Sequence, residues 1–173
     1  MDVSLPQAYL IGLLLLLGTA AVLVARQILR VRRDESALAR LEAQAKAGDK
    51  SAGDLYELAS VQLRKRLYGQ ATENLKLAAK RASGEPSEDQ ALIENALGFA
   101  LAAQSNYSGA IKHYRAALRA KSDYPVALNN LAFALEKQQK SDEAKETYAK
   151  VLELDAANKT AKRRLKRLER TAA

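Results

Sequence analysis

The fold is decided by residues 91–124, ALIENALGFALAAQSNYSGAIKHYRAALRAKSDY, which are followed at once by a second copy at residues 125–158, PVALNNLAFALEKQQKSDEAKETYAKVLELDAAN. A fixed period of this kind is typical of stacked helix–turn–helix repeats, in which small residues let two helices approach closely once per repeat. We therefore expect an array of helical hairpins, which usually provides a surface for holding other proteins. The residues that recur 34 positions apart are Asn95 and Asn129, Leu97 and Leu131, Phe99 and Phe133, Ala110 and Ala144, Tyr114 and Tyr148, and Leu118 and Leu152.

A more divergent copy precedes these two and spans residues 54–86. Leu58, Ala59, Ala71 and Ala78 fall at matching offsets, with five extra residues in the Gly- and Pro-containing loop at 82–87. This loop is either a tolerated insertion or a partner contact at one edge of the stack. At the start of the copy, we expect Asp54 to cap the first helix, with Glu57 three residues later completing a capping box.

The composition excludes most enzymatic sites. The chain has no cysteine and a single histidine, His113, for which the sequence offers no partner, so we expect it to be solvated. The glycines at 48 and 53 are not followed by the lysine and hydroxyl residue of a phosphate-binding loop. We therefore expect no enzyme, no metal and no cofactor.

Residues 8–25 form a continuous stretch without a charge, long enough to cross most of a bilayer as a helix. They predict a transmembrane helix after a short non-cytoplasmic N-terminus at residues 1–7. The alternative, a cleaved signal peptide, places its positive charge before the apolar run, whereas here the arginines follow it. Because basic residues stay on the cytoplasmic side, we expect the rest of the chain there, or in a plastid stroma. The membrane-flanking arginines are Arg26, Arg30, Arg32 and Arg33.

The net charge of +8 is concentrated outside the repeats, since residues 34–158 sum to only −1. Residues 26–53 read as a basic juxtamembrane stalk helix and a linker. Residues 159–173 read as a basic capping helix, which either keeps the end of the stack soluble or contacts anionic lipid headgroups or an acidic partner. A near-neutral repeat body argues against nucleic acid as a partner. The basic residues of the cap are Lys162, Arg163, Arg164, Lys166, Arg167 and Arg170.

The repeated pattern is Leu followed by Gly or Ala, then Tyr, then Ala, then Tyr or Leu, and then Ala. It resembles the tetratricopeptide repeat, in three copies at 54–86, 91–124 and 125–158. Together with the apolar stretch, the resemblance predicts an all-α fold: one N-terminal transmembrane helix, three tetratricopeptide hairpins and a C-terminal capping helix. It also implies that the first helix of each hairpin lines a concave groove that binds protein partners. The two phenylalanines lie either in that groove or in the core between hairpins. The expected groove residues are Tyr56, Asn95, Phe99, Asn129 and Phe133.

Some groove positions of chaperone-binding members of this family carry a carboxylate clamp of lysine, arginine and asparagine. Here the corresponding positions hold Tyr56, Ser60, Ala96 and Val126, with Asn130 alone matching. We do not expect a carboxylate clamp.

One short motif narrows the resemblance. Residues 26–36 follow the pattern Arg-Gln-x-x-Arg-x-Arg-Arg-x-Glu-Ser, directly after the apolar stretch and before three repeats. This arrangement resembles a family of membrane-anchored proteins of cyanobacteria and plastids that assist the assembly or stability of photosystem I at the thylakoid membrane. The expected partners are photosystem I subunits or other assembly factors. The alternative is a general bacterial membrane-tethered scaffold for envelope biogenesis or secretion.

Overall fold

A computed structural model of the chain describes residues 5–47, 51–82, 84 and 87–170. The predicted N-terminus at 1–7, the linker that ends at 53 and the loop at 82–87 lie partly outside these residues. Every regular element in the described part is an α-helix. The chain divides into two compact units, one ending at Arg40 and the other beginning at Leu41. The first contains most of helix α1, and the second contains the repeats.

Helix α1 spans Leu5–Ala47, so it continues without a break through residues 27–47, as the absence of glycine and proline there predicts. Within it, the stretch Tyr9–Leu41 is long and apolar enough to cross a membrane, and its most apolar 18 residues have a mean hydropathy of 2.1. None of its most apolar part is buried against the rest of the protein, and Leu13 to Leu17 are each more than half exposed. The stretch is a candidate membrane span by length and composition, which a core helix or a signal sequence can share.

Among the described residues of the repeat unit there are seven helices, and each packs on the next one along the chain. Three successive hairpins, α2–α3, α4–α5 and α6–α7, are followed by the single helix α8. Helix α4 also contacts α2 on one side and α6 on the other, so the first helices of the hairpins line up along one face. The bounds are α2 Ala52–Arg64, α3 Tyr68–Arg81, α4 Ser87–Ala103, α5 Tyr107–Ala120, α6 Pro125–Lys137, α7 Ser141–Leu154 and α8 Lys159–Arg170.

The repeated small residues lie where the helices cross. Ala71, Ala110 and Ala144 open the second helix of their hairpins and are completely buried. In the middle hairpin the approach is closest, because a Cβ atom on Gly98 would lie only 2.6 Å from Cε1 of the buried Tyr114 ring. The repeat period therefore reflects the spacing of close helix contacts.

The turns inside the three hairpins share a backbone conformation. Each contains one non-glycine residue with a left-handed φ: Arg66 at 60°, Ser105 at 62° and Gln139 at 61°. Side chains with a Cβ atom rarely adopt this conformation, so each turn holds some strain. The chain reverses in the same way at each turn, which keeps the hairpins equivalent.

Two glutamines bind successive hairpins together along the edge that carries these turns. Gln104, at the end of the second hairpin's first helix, donates to the Oγ1 atom of buried Thr72 on α3 at 2.8 Å. Gln138, at the equivalent position of the third hairpin, donates to the Ser108 hydroxyl on α5 at 2.7 Å. The two glutamines are 34 positions apart, so their recurrence at the repeat period is a sequence signal for this contact between hairpins.

The first helix of the first hairpin has a different cap from the predicted one. Helix α2 starts at Ala52, and its cap is Ser51, whose hydroxyl accepts a hydrogen bond from the Asp54 amide at 3.1 Å. The Asp54 carboxylate accepts in return from the Ser51 amide at 3.0 Å, so the capping box is Ser51 with Asp54. The predicted cap of Asp54 with Glu57 is wrong because Ser51 already has the required three-residue spacing to an acidic side chain. Hydrogen bonds from Ser51 hold the pKa of Asp54 below its ordinary value.

Candidate functional site

The candidate site is the face formed by the first helices of the three hairpins, α2, α4 and α6. We call this face the groove. Tyr56 lies on α2, Asn95 and Phe99 on α4, and Asn129 and Phe133 on α6. All five predicted groove residues therefore belong to the helices that line up along this face, but their surroundings differ.

Phe99 and Phe133 occupy the same position in successive repeats, yet only Phe99 is open to solvent. The Phe99 side chain is 44% exposed. Phe133 is half-buried, because the Tyr107 ring meets it edge to face at 6.4 Å and the Arg164 guanidinium lies 4.6 Å from its centroid. Lys137 approaches the same ring at 5.5 Å. The groove thus offers an uncovered aromatic ring in the second repeat and a covered one in the third.

The covering of Phe133 comes from the basic helix α8, which is tied to Glu136 on α6. Arg164 donates to both carboxylate oxygens of Glu136, at 3.1 and 3.2 Å, and Arg167 pairs with the same carboxylate. The Glu136 side chain is only 12% exposed, and Tyr148 also donates to it at 3.4 Å. Opposite charges that are partly withdrawn from water hold each other more strongly than surface pairs do. Two of the six predicted cap residues therefore close the third-repeat end of the groove, while Lys162, Arg163, Lys166 and Arg170 remain exposed.

The amide of Asn95 is the centre of a small polar cluster. Its oxygen accepts a hydrogen bond from Asn130 at 3.0 Å, and its nitrogen donates to the Tyr124 hydroxyl at 3.4 Å. Burial raises the pKa of the Tyr124 phenol, and the nearby Tyr56 phenol adds to that rise. The structure thus brings Tyr56 and Asn95 together with two residues that were not among the five predicted. Tyr124 has no counterpart in the next repeat, where Asn158 stands, so the period did not reveal it.

Asn129 differs from Asn95 although the two are equivalent in sequence. The Oδ1 atom of Asn129 is buried and has no hydrogen-bond partner among the described residues. A buried amide oxygen without a partner is unfavourable. The side-chain oxygen of Asn95 therefore accepts a hydrogen bond within the groove, whereas that of Asn129 accepts none from the described residues.

A pocket of about 300 Å³ lies at the first-repeat end of the groove. Tyr56, Leu92 and Ile93 give it apolar walls, and Asp89 and Gly53 contribute to its polar rim. Together with the exposed Phe99 ring, this pocket makes the first two repeats the more accessible half of the groove.

His113 is not solvated, contrary to the prediction. Its Nδ1 atom lies 2.7 Å from a carboxylate oxygen of Glu94, and both side chains are largely buried, with 24% and 14% exposed. The pair joins α5 to α4 within the second hairpin. The prediction failed because Glu94 lies on the preceding helix and faces His113 only once the hairpin closes.

The four membrane-flanking arginines are all exposed on α1, just after the apolar stretch. No group of acidic or histidine side chains with the spacing of a metal site occurs among the residues that the structure describes.

Comparison with protein families finds two matches to tetratricopeptide-repeat models, one described as TPR repeat at residues 98–139 and one as tetratricopeptide repeat at residues 125–158. The solved structures agree with this fold. The crystal structure of MamA matches with a TM-score of 0.73 and 19% identity, over 80% of this chain and 78% of MamA. The first TPR domain of Spaghetti (RPAP3), solved with an HSP90 peptide, matches with a TM-score of 0.66 and 20% identity, over 70% of this chain and 93% of that domain. The predicted tetratricopeptide fold of the repeats is confirmed.

Three curated relatives match over most of the chain. The chloroplastic tetratricopeptide repeat domain-containing protein PYG7 of Arabidopsis thaliana is 33% identical over 94% of this chain and 54% of its own length. The uncharacterized protein ycf37 of Guillardia theta is 30% identical over 93% of this chain and 90% of its own length. The ycf37 of Cyanophora paradoxa is 36% identical over 73% of this chain and 71% of its own length. The chain thus spans about half of PYG7 and most of both ycf37 proteins.

Proposed function

The chain belongs to the ycf37 family of tetratricopeptide-repeat proteins, and from that premise we propose that it is a membrane-anchored adaptor that assists the assembly or stability of photosystem I. Tetratricopeptide repeats are protein-interaction modules, and the chain is an adaptor and not an enzyme. The proposal has three further parts: α1 anchors the protein in the membrane, the repeats lie on the cytoplasmic or stromal side, and the bound partner is a photosystem I subunit or assembly factor.

The anchor is supported by α1. A stretch with a mean hydropathy of 2.1 and no burial in the protein is stable only where something apolar surrounds it, and a bilayer supplies that surrounding. The matches to PYG7 and to the ycf37 of Guillardia theta cover 94% and 93% of this chain, so both have to include most of the apolar stretch. An anchor confines the groove to the membrane surface and raises its effective concentration near membrane subunits.

The side of the membrane is supported by charge. Arg26, Arg30, Arg32 and Arg33 follow the apolar stretch, and basic residues of this kind stay on the cytoplasmic or stromal side. In sealed thylakoid vesicles with that side facing outward, added protease should remove the repeat unit and leave α1 in the membrane. A repeat unit that is protected in these vesicles, and digested only after detergent is added, would reverse the proposed orientation.

The observation that carries the proposed binding site is the exposed Phe99 ring on α4, the helix that also supplies Leu92 and Ile93 to the pocket of the first two repeats. A ring that is 44% exposed on the groove gives apolar contact area to a bound segment, while the buried core beneath it stays unchanged. We propose that an assembly partner or a photosystem I subunit binds across this half of the groove. Phe133 contributes less, since Arg164 and Tyr107 already cover its ring.

The test compares two substitutions of equally exposed apolar residues. Phe99→Ala removes the groove ring, and Leu77→Ala removes a 38% exposed side chain on α3, a second helix of a hairpin. Phe99→Ala should reduce co-purification of photosystem I subunits from solubilised membranes and lower photosystem I relative to photosystem II, whereas Leu77→Ala should change neither. If a strain without the protein kept a normal ratio of the two photosystems and showed envelope or secretion defects, the general scaffold would replace this proposal.

A further inference from the structure

A concave basic surface lies on the outer side of the repeat unit, away from both the groove and helix α8. It runs along α5 beside the turn between α6 and α7 and encloses about 320 Å³. Ile111 forms part of its lining, and the polar groups around it include the Ser108 hydroxyl and the Gln138 amide. We call this surface the α5 basic cleft. Its cationic side chains are Lys112, Arg115, Arg119 and Lys140.

The cations of the α5 basic cleft are only partly neutralised. Arg115 pairs with Glu143 at 2.7 Å, and Lys140 lies 3.7 Å from the same carboxylate. Lys112 and Arg119 are exposed, and neither has an ion-pair partner among the residues that the structure describes. Four cations therefore lie around a single carboxylate, which pairs with only two of them.

Helix geometry shows that this arrangement opposes the stability of the free protein. Residues 112, 115 and 119 are three and four positions apart, so their side chains lie on one face of α5. Like charges at this spacing repel each other and destabilise a helix. An anion bound between them would relieve that repulsion, and two arginines and a lysine are suited to it because guanidinium groups bind oxyanions with two parallel hydrogen bonds.

We propose that the α5 basic cleft binds a phosphate-type oxyanion, either free in solution or as the headgroup of an anionic lipid. The volume of about 320 Å³ suits one small headgroup, whereas an extended peptide would need a longer surface such as the groove. The Ser108 hydroxyl and the Gln138 amide, joined by a hydrogen bond of 2.7 Å, supply neutral polar groups at one end of the cleft. This site is independent of the proposed role of Phe99.

The experiment measures how fast the Lys112 amine is acetylated in the full chain in nonionic-detergent micelles, using mass spectrometry. Inorganic phosphate, added at constant ionic strength to about four times its Kd, should slow acetylation of Lys112 ~5-fold, since about four-fifths of the sites are then occupied. Lys76, exposed on α3 and paired with Glu73, is the internal control. Its acetylation rate should change less than about twofold, because Lys76 lies outside the α5 basic cleft and is not covered when that site is occupied. Arg119→Gln should abolish the protection of Lys112, with an unchanged circular dichroism spectrum.

A second arm distinguishes the two sources of the anion. The same measurement is made in phosphatidylcholine nanodiscs with and without phosphatidylglycerol. Protection of Lys112 by inorganic phosphate assigns a free anion, and protection by phosphatidylglycerol alone assigns a lipid headgroup; both outcomes support the site. Equal protection of Lys112 and Lys76 would overturn the proposed site, and so would protection by neither phosphate nor phosphatidylglycerol.

Discussion

Replacing Gly98 by alanine should destabilise the repeat unit, although the same change in an open helix stabilises a protein. The added Cβ atom would lie 2.6, 2.7 and 3.1 Å from three carbon atoms of the Tyr114 ring. That ring is only 1% exposed, so it has little freedom to move away. The clash therefore has to be relieved by shifting α4 against α5.

The expected magnitude combines two opposing effects. Alanine in place of glycine inside a helix stabilises by up to about 1 kcal/mol. Overpacking a buried contact costs about 1–3 kcal/mol. Ala132 stands at the same position in the third hairpin, opposite Tyr148, so the architecture accommodates a methyl group there after a small adjustment. We expect a net loss of about 1–2 kcal/mol, or a fall in Tm of roughly 3–8 °C.

The assay is thermal and urea unfolding of the full chain in mild detergent, followed by circular dichroism. Gly69→Ala is the matched control, because a Cβ atom there has no neighbour within 4 Å and α3 should gain stability. In a Tyr114→Leu background, the penalty of Gly98→Ala should shrink, since the ring that it meets is gone. If Gly98→Ala raised Tm as much as Gly69→Ala does, the close approach of α4 and α5 would be refuted.

Three further predictions concern the turns inside the hairpins and the cap of helix α2. Gln104→Ala should lower the free energy of unfolding by about 1–2 kcal/mol, because Thr72 loses its partner from the next hairpin; Gln70→Ala, an exposed change on α3, should have little effect in the same urea titration. Ser105→Val should lower Tm because a β-branched residue is strained at φ 62°, whereas Ser105→Gly should leave Tm unchanged or raise it. Asp54→Asn should lower Tm at neutral pH, and the difference in Tm from the wild type should shrink as pH falls below about 4. The reason is that a carboxylate with a lowered folded-state pKa stabilises the fold only while it is ionised. A difference in Tm that stays constant from pH 7 to pH 3 would exclude a role for the ionised carboxylate.

The repeat architecture could be predicted from the sequence because a fixed repeat period reports directly on helix contacts. Ala110 and Ala144 are completely buried, as their recurrence implies, and Tyr114 and Tyr148 fill equivalent core positions. Local signals were less decisive. The start of α2 was predicted from the spacing of Asp54 and Glu57, but Ser51 has the same spacing to Asp54 and caps the helix instead.

The differences within the groove could not be predicted, since they depend on what packs against each repeat. Phe99 and Phe133 are identical in the sequence pattern, but α8 follows the third repeat and places Arg164 over the Phe133 ring. The pair of His113 and Glu94 likewise forms only when α4 and α5 come together. The repeat period predicts that the backbones of the repeats are equivalent. Side chains at equivalent positions still differ in their surroundings, because α8 packs only on the last repeat.

We propose that the groove holds photosystem I components at the membrane through the face that contains Phe99. A photoreactive phenylalanine analogue placed at position 99, with position 77 as the control, tests this directly in intact thylakoid membranes. Irradiation should cross-link a photosystem I subunit or assembly factor to the protein from position 99 and not from position 77. Cross-links that are the same from both positions, or that contain no photosystem I component, would contradict the claim.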